Sequence, residues 1–161
     1  MAERRNSAPV TFGLLDDTDR RILAELQADA RLRTSELARR VGLSAPAVAD
    51  RVRRLEDTGV VSYRAEIEPR ALGYPVCTLV RVNPSSGNLH QIPLLARQIP
   101  AVTECYRVTG EDCFVLKLYL RSMDDLEAIL DQFAPLGRTT TSIVHSEPVP
   151  RRPLPLDGVP G

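Results

Sequence analysis

The sequence predicts an α+β fold built in two parts, and three observations predict it. Between residues 14 and 58, apolar residues recur at helical spacing in three short stretches. Beyond residue 75 the rhythm changes: four runs alternate as strands do, and two helical stripes fall among them in the order β-α-β-β-α-β. Between the two rhythms stand Pro69, Gly73 and Pro75, which break regular structure. The expected organisation is therefore a helical unit over 14–61, a linker strand and hinge over 62–75, a sheet unit over 76–148 and a proline-rich tail over 149–161.

The first helix opens at Leu14-Leu15-Asp16-Asp17-Thr18-Asp19, where Asp16 is placed to cap it and Asp17 and Asp19 complement its dipole. Ile22, Leu23 and Leu26 make its stripe, and residues 1 to 13 before it read as flexible. Thr34 is expected to cap the second helix, with Leu37, Ala38 and Val41 as its apolar face. Gly42-Leu43-Ser44 turns the chain, and Ser44 caps the third helix. Pro46 falls in that helix's first turn, where a missing N–H is no loss. Val48, Val52 and Leu55 follow at i, i+4 and i+7. Three short helices, each with one apolar stripe, form a trihelical bundle. The alternating run from Val60 to Ile67 then predicts the wing of a winged helix or a connecting strand.

The third helix carries Asp50, Arg51, Arg53 and Arg54 outward, with the small residues Ala45 and Ala47 near its start. A helix with a basic face and a slim leading end suits a DNA major groove. An ordinary helical hairpin with a solvated arginine face has the same residues. The local charge favours DNA: Arg31, Arg33, Arg39, Arg40, Arg51, Arg53 and Arg54 stand against only Glu36 and Asp50, in a chain that is formally neutral. The expected DNA-contacting set is Thr34, Ser44, Ala45, Ala47, Asp50, Arg51, Arg53 and Arg54, with an Asp50–Arg54 ion pair at i+4 spacing. One such motif offers few contacts, so a twofold pair on a palindromic double-stranded site is expected.

In the second part, Val76 to Val82 alternates as a strand with Val76, Thr78, Val80 and Val82 on one face. Ile92, Leu95, Ala96 and Ile99 mark a helix, and Val102 to Thr109 a second strand. Gly110-Glu111-Asp112 turns into a third strand, Cys113 to Arg121, with Phe114, Leu116, Leu118 and Leu120 on one face. Ser122 is expected to cap a helix striped by Leu126, Ile129, Leu130 and Phe133, which Pro135 and Gly137 end. Thr139 to Glu147 is the last strand. Both helices cover one face of this ferredoxin-like βαββαβ sheet. The other face, with Cys113, Val115, Lys117 and Tyr119, is either a semi-polar solvated surface or a subunit contact.

The runs LDDTDRRIL, GLSAPAVADRVRRLEDTGVV and VTGEDC resemble the leucine-responsive regulatory protein / asparagine-synthase regulator (Lrp/AsnC) family, over roughly Leu15 to Glu147. The resemblance implies an N-terminal winged helix-turn-helix and a C-terminal ligand-sensing domain. It also implies homodimers that assemble further, commonly to octamers, and control by an amino acid or related small molecule. The family turn more often reads Gly-x-x-Asp before an aromatic residue; here Asp112 of Gly110-Glu111-Asp112-Cys113-Phe114 comes one place early.

An amino acid presents an ammonium and a carboxylate, so its site needs an acidic acceptor and neutral donors. Glu111 or Asp112 is the expected acceptor. The backbone at Gly110 and the hydroxyls of Thr139, Thr140, Thr141 and Ser142 are the expected donors. The plainer account is that Gly110 permits a hairpin and the threonines favour a strand. A ligand-independent architectural DNA-binding protein shares every N-terminal feature and is the alternative function. An enzyme is not expected: His90 and His145 are the only histidines, and no nucleophile motif adjoins either. No cofactor or metal is expected, since Cys77, Cys105 and Cys113 lack ligand spacing and read as reduced core residues. No apolar run is long enough to span a membrane, and no secretory h-region follows the first arginines, so a cytoplasmic protein without a membrane partner is expected.

Overall fold

Two of the three helices of the first part begin where a side chain accepts from their free backbone N–H groups. The computed structural model describes residues 15–156; the N-terminal stretch read as flexible lies outside the described residues, as does the end of the tail. Helix α1, Asp17–Ala28, opens with a capping box in which Asp16 Oδ1 accepts from the Asp19 N–H at 2.7 Å and Asp19 Oδ2 accepts from the Asp16 N–H at 3.4 Å. Helix α2 spans Thr34–Val41, and its N-cap is Arg33 with no side-chain hydrogen bond. The cap assigned to Thr34 is thus corrected: the residue is the first of the helix itself, one place past the capping position. Gly42 ends α2 in the left-handed conformation, φ 72°, which glycine adopts without a Cβ clash. Ser44 caps α3, Ala45–Asp57, as expected, accepting from the Ala47 N–H at 3.4 Å.

The expected stripes meet in one core of Ile22, Leu23, Leu26, Leu37, Ala38, Val41, Val48 and Leu55, with Val52, Val60 and Val61 packed against it. The wing strand is absent among the described residues: no ladder forms between Val61 and Glu68. The physical reason is that the Val60 and Val61 N–H groups both donate to the Leu55 carbonyl, at 2.9 and 3.2 Å. Donors spent on finishing a helix cannot build a sheet edge.

The second part is a four-stranded antiparallel sheet in the order β2-β3-β1-β4, the arrangement βαββαβ demands. Its strands are β1 Val76–Pro84, β2 Val102–Arg107, β3 Phe114–Leu120 and β4 Gly137–Ile143; its helices are α4 Gln91–Gln98 and α5 Asp124–Phe133. Strands β2 and β4 end earlier than the sequence predicts, at Arg107 and Ile143. Just beyond Ile143 the Val144 N–H still reaches β1, donating to the Cys77 carbonyl at 2.9 Å. Ser122 lies one residue before the N-cap of α5, which is Met123. It still exchanges hydrogen bonds with Asp125, whose carboxylate accepts from the Ser122 N–H at 3.2 Å.

The inner face of the sheet and both helices share a core that includes Val80, Val82, Ile92, Leu116, Leu118, Leu120 and Phe133. The cysteines are free, and none is fully buried: Cys113 is half-buried and packs against this core, Cys77 is half-buried, and Cys105 is exposed, which corrects its assignment to the core. Thr78, also on the inner face, is fully buried with a hydroxyl that has no hydrogen-bond partner among the described residues. Such a hydroxyl costs more than the methyl that would replace it. Thr78→Val is expected to stabilise this unit by about 1 kcal/mol, seen as a raised urea midpoint at unchanged slope. A lowered midpoint would mean the hydroxyl is satisfied.

The described residues cluster into two compact units, one running up to Ala65 and resuming at Arg151, the other Glu66–Pro150. Near the start of the second unit, Pro69–Leu72 forms a 3-10 turn. The tail is not merely extended: Leu156 is half-buried and packs against the core of the helical bundle. No described helix is long and apolar enough to cross a membrane.

Candidate nucleic-acid interface and effector surface

The buried stripe of α3 fixes which of its residues face outward. With Val48 and Leu55 in the core, Pro46, Asp50 and Arg53 fall on the exposed side. Arg53 Nη1 lies 3.0 Å from Asp50 Oδ1, and both side chains are about 70% exposed (68% and 73%). The ion pair of Asp50 is therefore with Arg53 at i+3 and not with Arg54 as predicted. Ser44 is exposed at the head of the helix and Ala47 half-buried, while Ala45 turns to the bundle core. Thr34 is exposed at the start of α2. It lines a groove of about 270 Å³ with Leu26, Leu37, Val52 and Tyr63.

Arg51 and Arg54 do not project freely. Arg51 Nη1 lies 2.6 Å from Asp16 Oδ2 and 2.9 Å from Asp19 Oδ1, and Arg54 Nη2 lies 2.6 Å from Asp19 Oδ2. The Arg51 guanidinium, by hydrogen bonding, holds the Asp16 carboxyl below its ordinary value, with the Asp19 N–H adding to it; Asp16 in turn raises Arg51. Arg40 joins α2 to α1 by a 2.8 Å contact with Glu25. Arg39 and Arg40, by hydrogen bonding, together pull the half-buried Glu36 carboxyl down to about 2. Much of the arginine charge therefore braces the bundle. Among the described residues, Arg31 and Arg33 have no acidic partner within salt-bridge distance.

On the sheet unit the predicted effector residues are brought together only in part. Directly opposed residues share a face. Thr140 opposes Arg81 and Ser142 opposes Leu79, on the outer face. Thr139 and Thr141 oppose the buried Val82 and Val80, on the inner face. The run of four hydroxyls is thus split two and two. The β2–β3 turn carries Gly110 at φ 117° and is closed by Val108 N–H donating to the Cys113 carbonyl at 2.9 Å. Glu111 is exposed, and Asp112 Oδ2 lies 3.7 Å from Arg81 Nε.

Arg81, which the sequence reading did not single out, therefore stands between Asp112 and Thr140. Its guanidinium is a planar donor fork suited to a carboxylate. The signal was a lone charge within the strand VCTLVRVN, on the face opposite Val80 and Val82. The same outer face carries Leu79, Val115 and Tyr119, with Lys117 Nζ 5.3 Å from the Tyr119 ring centroid and 3.8 Å from Glu104. Among the described residues no group of His, Cys, Asp and Glu could hold a metal ion.

Residues 15–62 match the family model described as winged helix-turn-helix DNA-binding, and residues 76–154 the Lrp/AsnC ligand binding domain. The chain is 33% identical to the HTH-type transcriptional regulator LrpC of Bacillus subtilis over 134 residues, which are 83% of this chain and 93% of that protein. It is 41% identical to LrpA of Mycobacterium tuberculosis over 131 residues, 80% of this chain and 85% of that one. A transcriptional regulator of Neisseria meningitidis, solved as its L-Met complex, superposes with a TM-score of 0.81 at 28% identity, covering 89% of this chain and 97% of the other.

Proposed function

The chain belongs to the Lrp/AsnC family of transcriptional regulators, and from that premise we propose that it reads a palindromic DNA site as a homodimer and senses an amino acid on its sheet unit. One observation carries the DNA reading: the Asp50–Arg53 edge of α3 is largely exposed, and its described ion pair joins the two residues to each other and not to α1 or α2. Arg53 is the guanine-reading fork, and Asp50 both orients it and accepts from cytosine. Ser44 and Ala47 lead the helix into the groove, and Thr34 anchors a phosphate. The outer sheet face, apolar at Leu79, Val115 and Tyr119, is the subunit contact. Assembly to an octamer is supported by the family resemblance. Double-stranded DNA as partner goes with a cytoplasmic location.

The effector surface is the turn Gly110–Asp112 with Arg81, Thr140 and Ser142. Arg81 takes the carboxylate of an amino acid, Asp112 or Glu111 its ammonium, and the hydroxyls complete the shell. The L-Met complex of the Neisseria relative supports an amino acid and makes L-methionine the first probe. If the ligand also shifts assembly, DNA affinity changes with it through linkage. Thr139 and Thr141 serve the strand.

The test is fluorescence anisotropy on the duplex that the wild type selects from a random-sequence pool, with and without L-methionine and the other amino acids. Arg53→Ala should weaken this duplex by about 1–3 kcal/mol and random DNA much less. Asp112→Ala should abolish the amino-acid response and leave ligand-free binding intact. Equal affinity of Arg53→Ala and wild type overturns the reading edge. No response to any amino acid in the wild type favours the architectural protein.

A further inference from the structure

Asp19 is 1% exposed, yet nothing in the DNA reading above uses it. A carboxylate so far from water is tolerated only when its oxygens are occupied. Here Oδ1 accepts from Arg51 at 2.9 Å and Oδ2 from Arg54 at 2.6 Å, while Oδ2 also closes the capping box with the Asp16 N–H at 3.4 Å. Arg51 and Arg54 are one turn apart on α3, and Asp16 and Asp19 are three residues apart at the head of α1. Two acids of one helix therefore clasp two arginines of another.

The clasp has a geometric consequence. At about 100° per residue, Arg54 and Arg51 lie about 40° and 100° round the helix from Asp50 in one direction, and Arg53 about 60° in the other. Pulling Arg51 and Arg54 toward α1 turns the Asp50–Arg53 edge outward. It also has an electrostatic consequence. A free arginine beside DNA binds phosphate of any sequence, and each such contact steepens the salt dependence. Two arginines held by carboxylates are withheld from that role.

We propose that Asp19 is a positioning residue for sequence discrimination: it sets the rotation of α3 about its axis and keeps Arg51 and Arg54 off the phosphates. This rests on the DNA-reading role of α3, and the experiment separates the two. Asp19→Asn keeps the shape and an acceptor oxygen but removes the charge. Affinity is measured for the duplex selected by the wild type and for random duplex, across a salt series. The clasp predicts that Asp19→Asn binds random DNA more tightly, with a slope of log K against log salt steeper by about 1–2, and that its preference for the selected duplex falls at least tenfold.

A purely structural brace would lower the melting temperature and leave slope and preference unchanged, which would overturn the proposal. Arg54→Gln is the second arm, chosen because the side chain is 57% exposed and its loss opens no core. Under the clasp, this variant keeps the wild-type salt slope on random DNA. A slope shallower by about 0.9 would mean that Arg54 holds a phosphate, and would overturn the proposal even if Asp19→Asn failed to fold. A wild type that prefers no duplex would overturn the DNA reading itself and the clasp with it.

Discussion

Replacing Gly137 by alanine is expected to separate the end of β4 from β1 and to destabilise the sheet unit by about 3 kcal/mol. Gly137 opposes Pro84 in the ladder, and a Cβ there would lie 2.3 Å from the Asn83 carbonyl oxygen, 2.6 Å from Pro84 Cα and 2.9 Å from the Asn83 carbonyl carbon. All three atoms are backbone, so no side chain can turn aside. The strands must move apart, and the register that places Thr140 beside Arg81 begins at this point. Urea denaturation should give a lower midpoint, and the amino-acid response should weaken in the folded protein. A midpoint within error of the wild type would mean that the strand end relaxes freely.

Ile22→Ala should have a comparable effect on the other unit. Ile22 is fully buried in the three-helix core, where truncation costs about 2–5 kcal/mol. The two cores share no residue, so we expect the helical unit to open alone. Hydrogen exchange should then accelerate at the amides of α1, α2 and α3 while those of β1 and β3 keep their protection, and DNA affinity should collapse. Equal loss of protection in both units would show that they fold as one.

What the sequence made legible was mostly local chemistry. Ser44 and Pro46 announce a helix start because their effects act within one turn. The alternation from Phe114 to Leu120 separates the two faces of its strand correctly because a pleat leaves no other choice. The misses come from partners distant in sequence. Nothing near Arg51 and Arg54 in the sequence announces their ion pairs with Asp19, 32 and 35 positions earlier.

Val60 and Val61 have strand composition, but α3 claims their donors. Gly137 reads as a helix stop, whereas its lack of a side chain is needed by the backbone of a strand more than fifty residues away. The hydroxyl run is divided between two faces for a different reason. Four consecutive strand residues cannot face one ligand, and the period of two was enough to say so.

The packing of Leu156 on the helical bundle gives the molecule an order of birth. Synthesis proceeds from the N-terminus, so every residue of β1 to β4 is made before Leu156 exists. The bundle leaves the ribosome before the sheet unit, yet receives the Leu156 contact only after the sheet unit has been made whole. The element that reads DNA is thus completed by the part of the chain that is translated after the element that senses the signal.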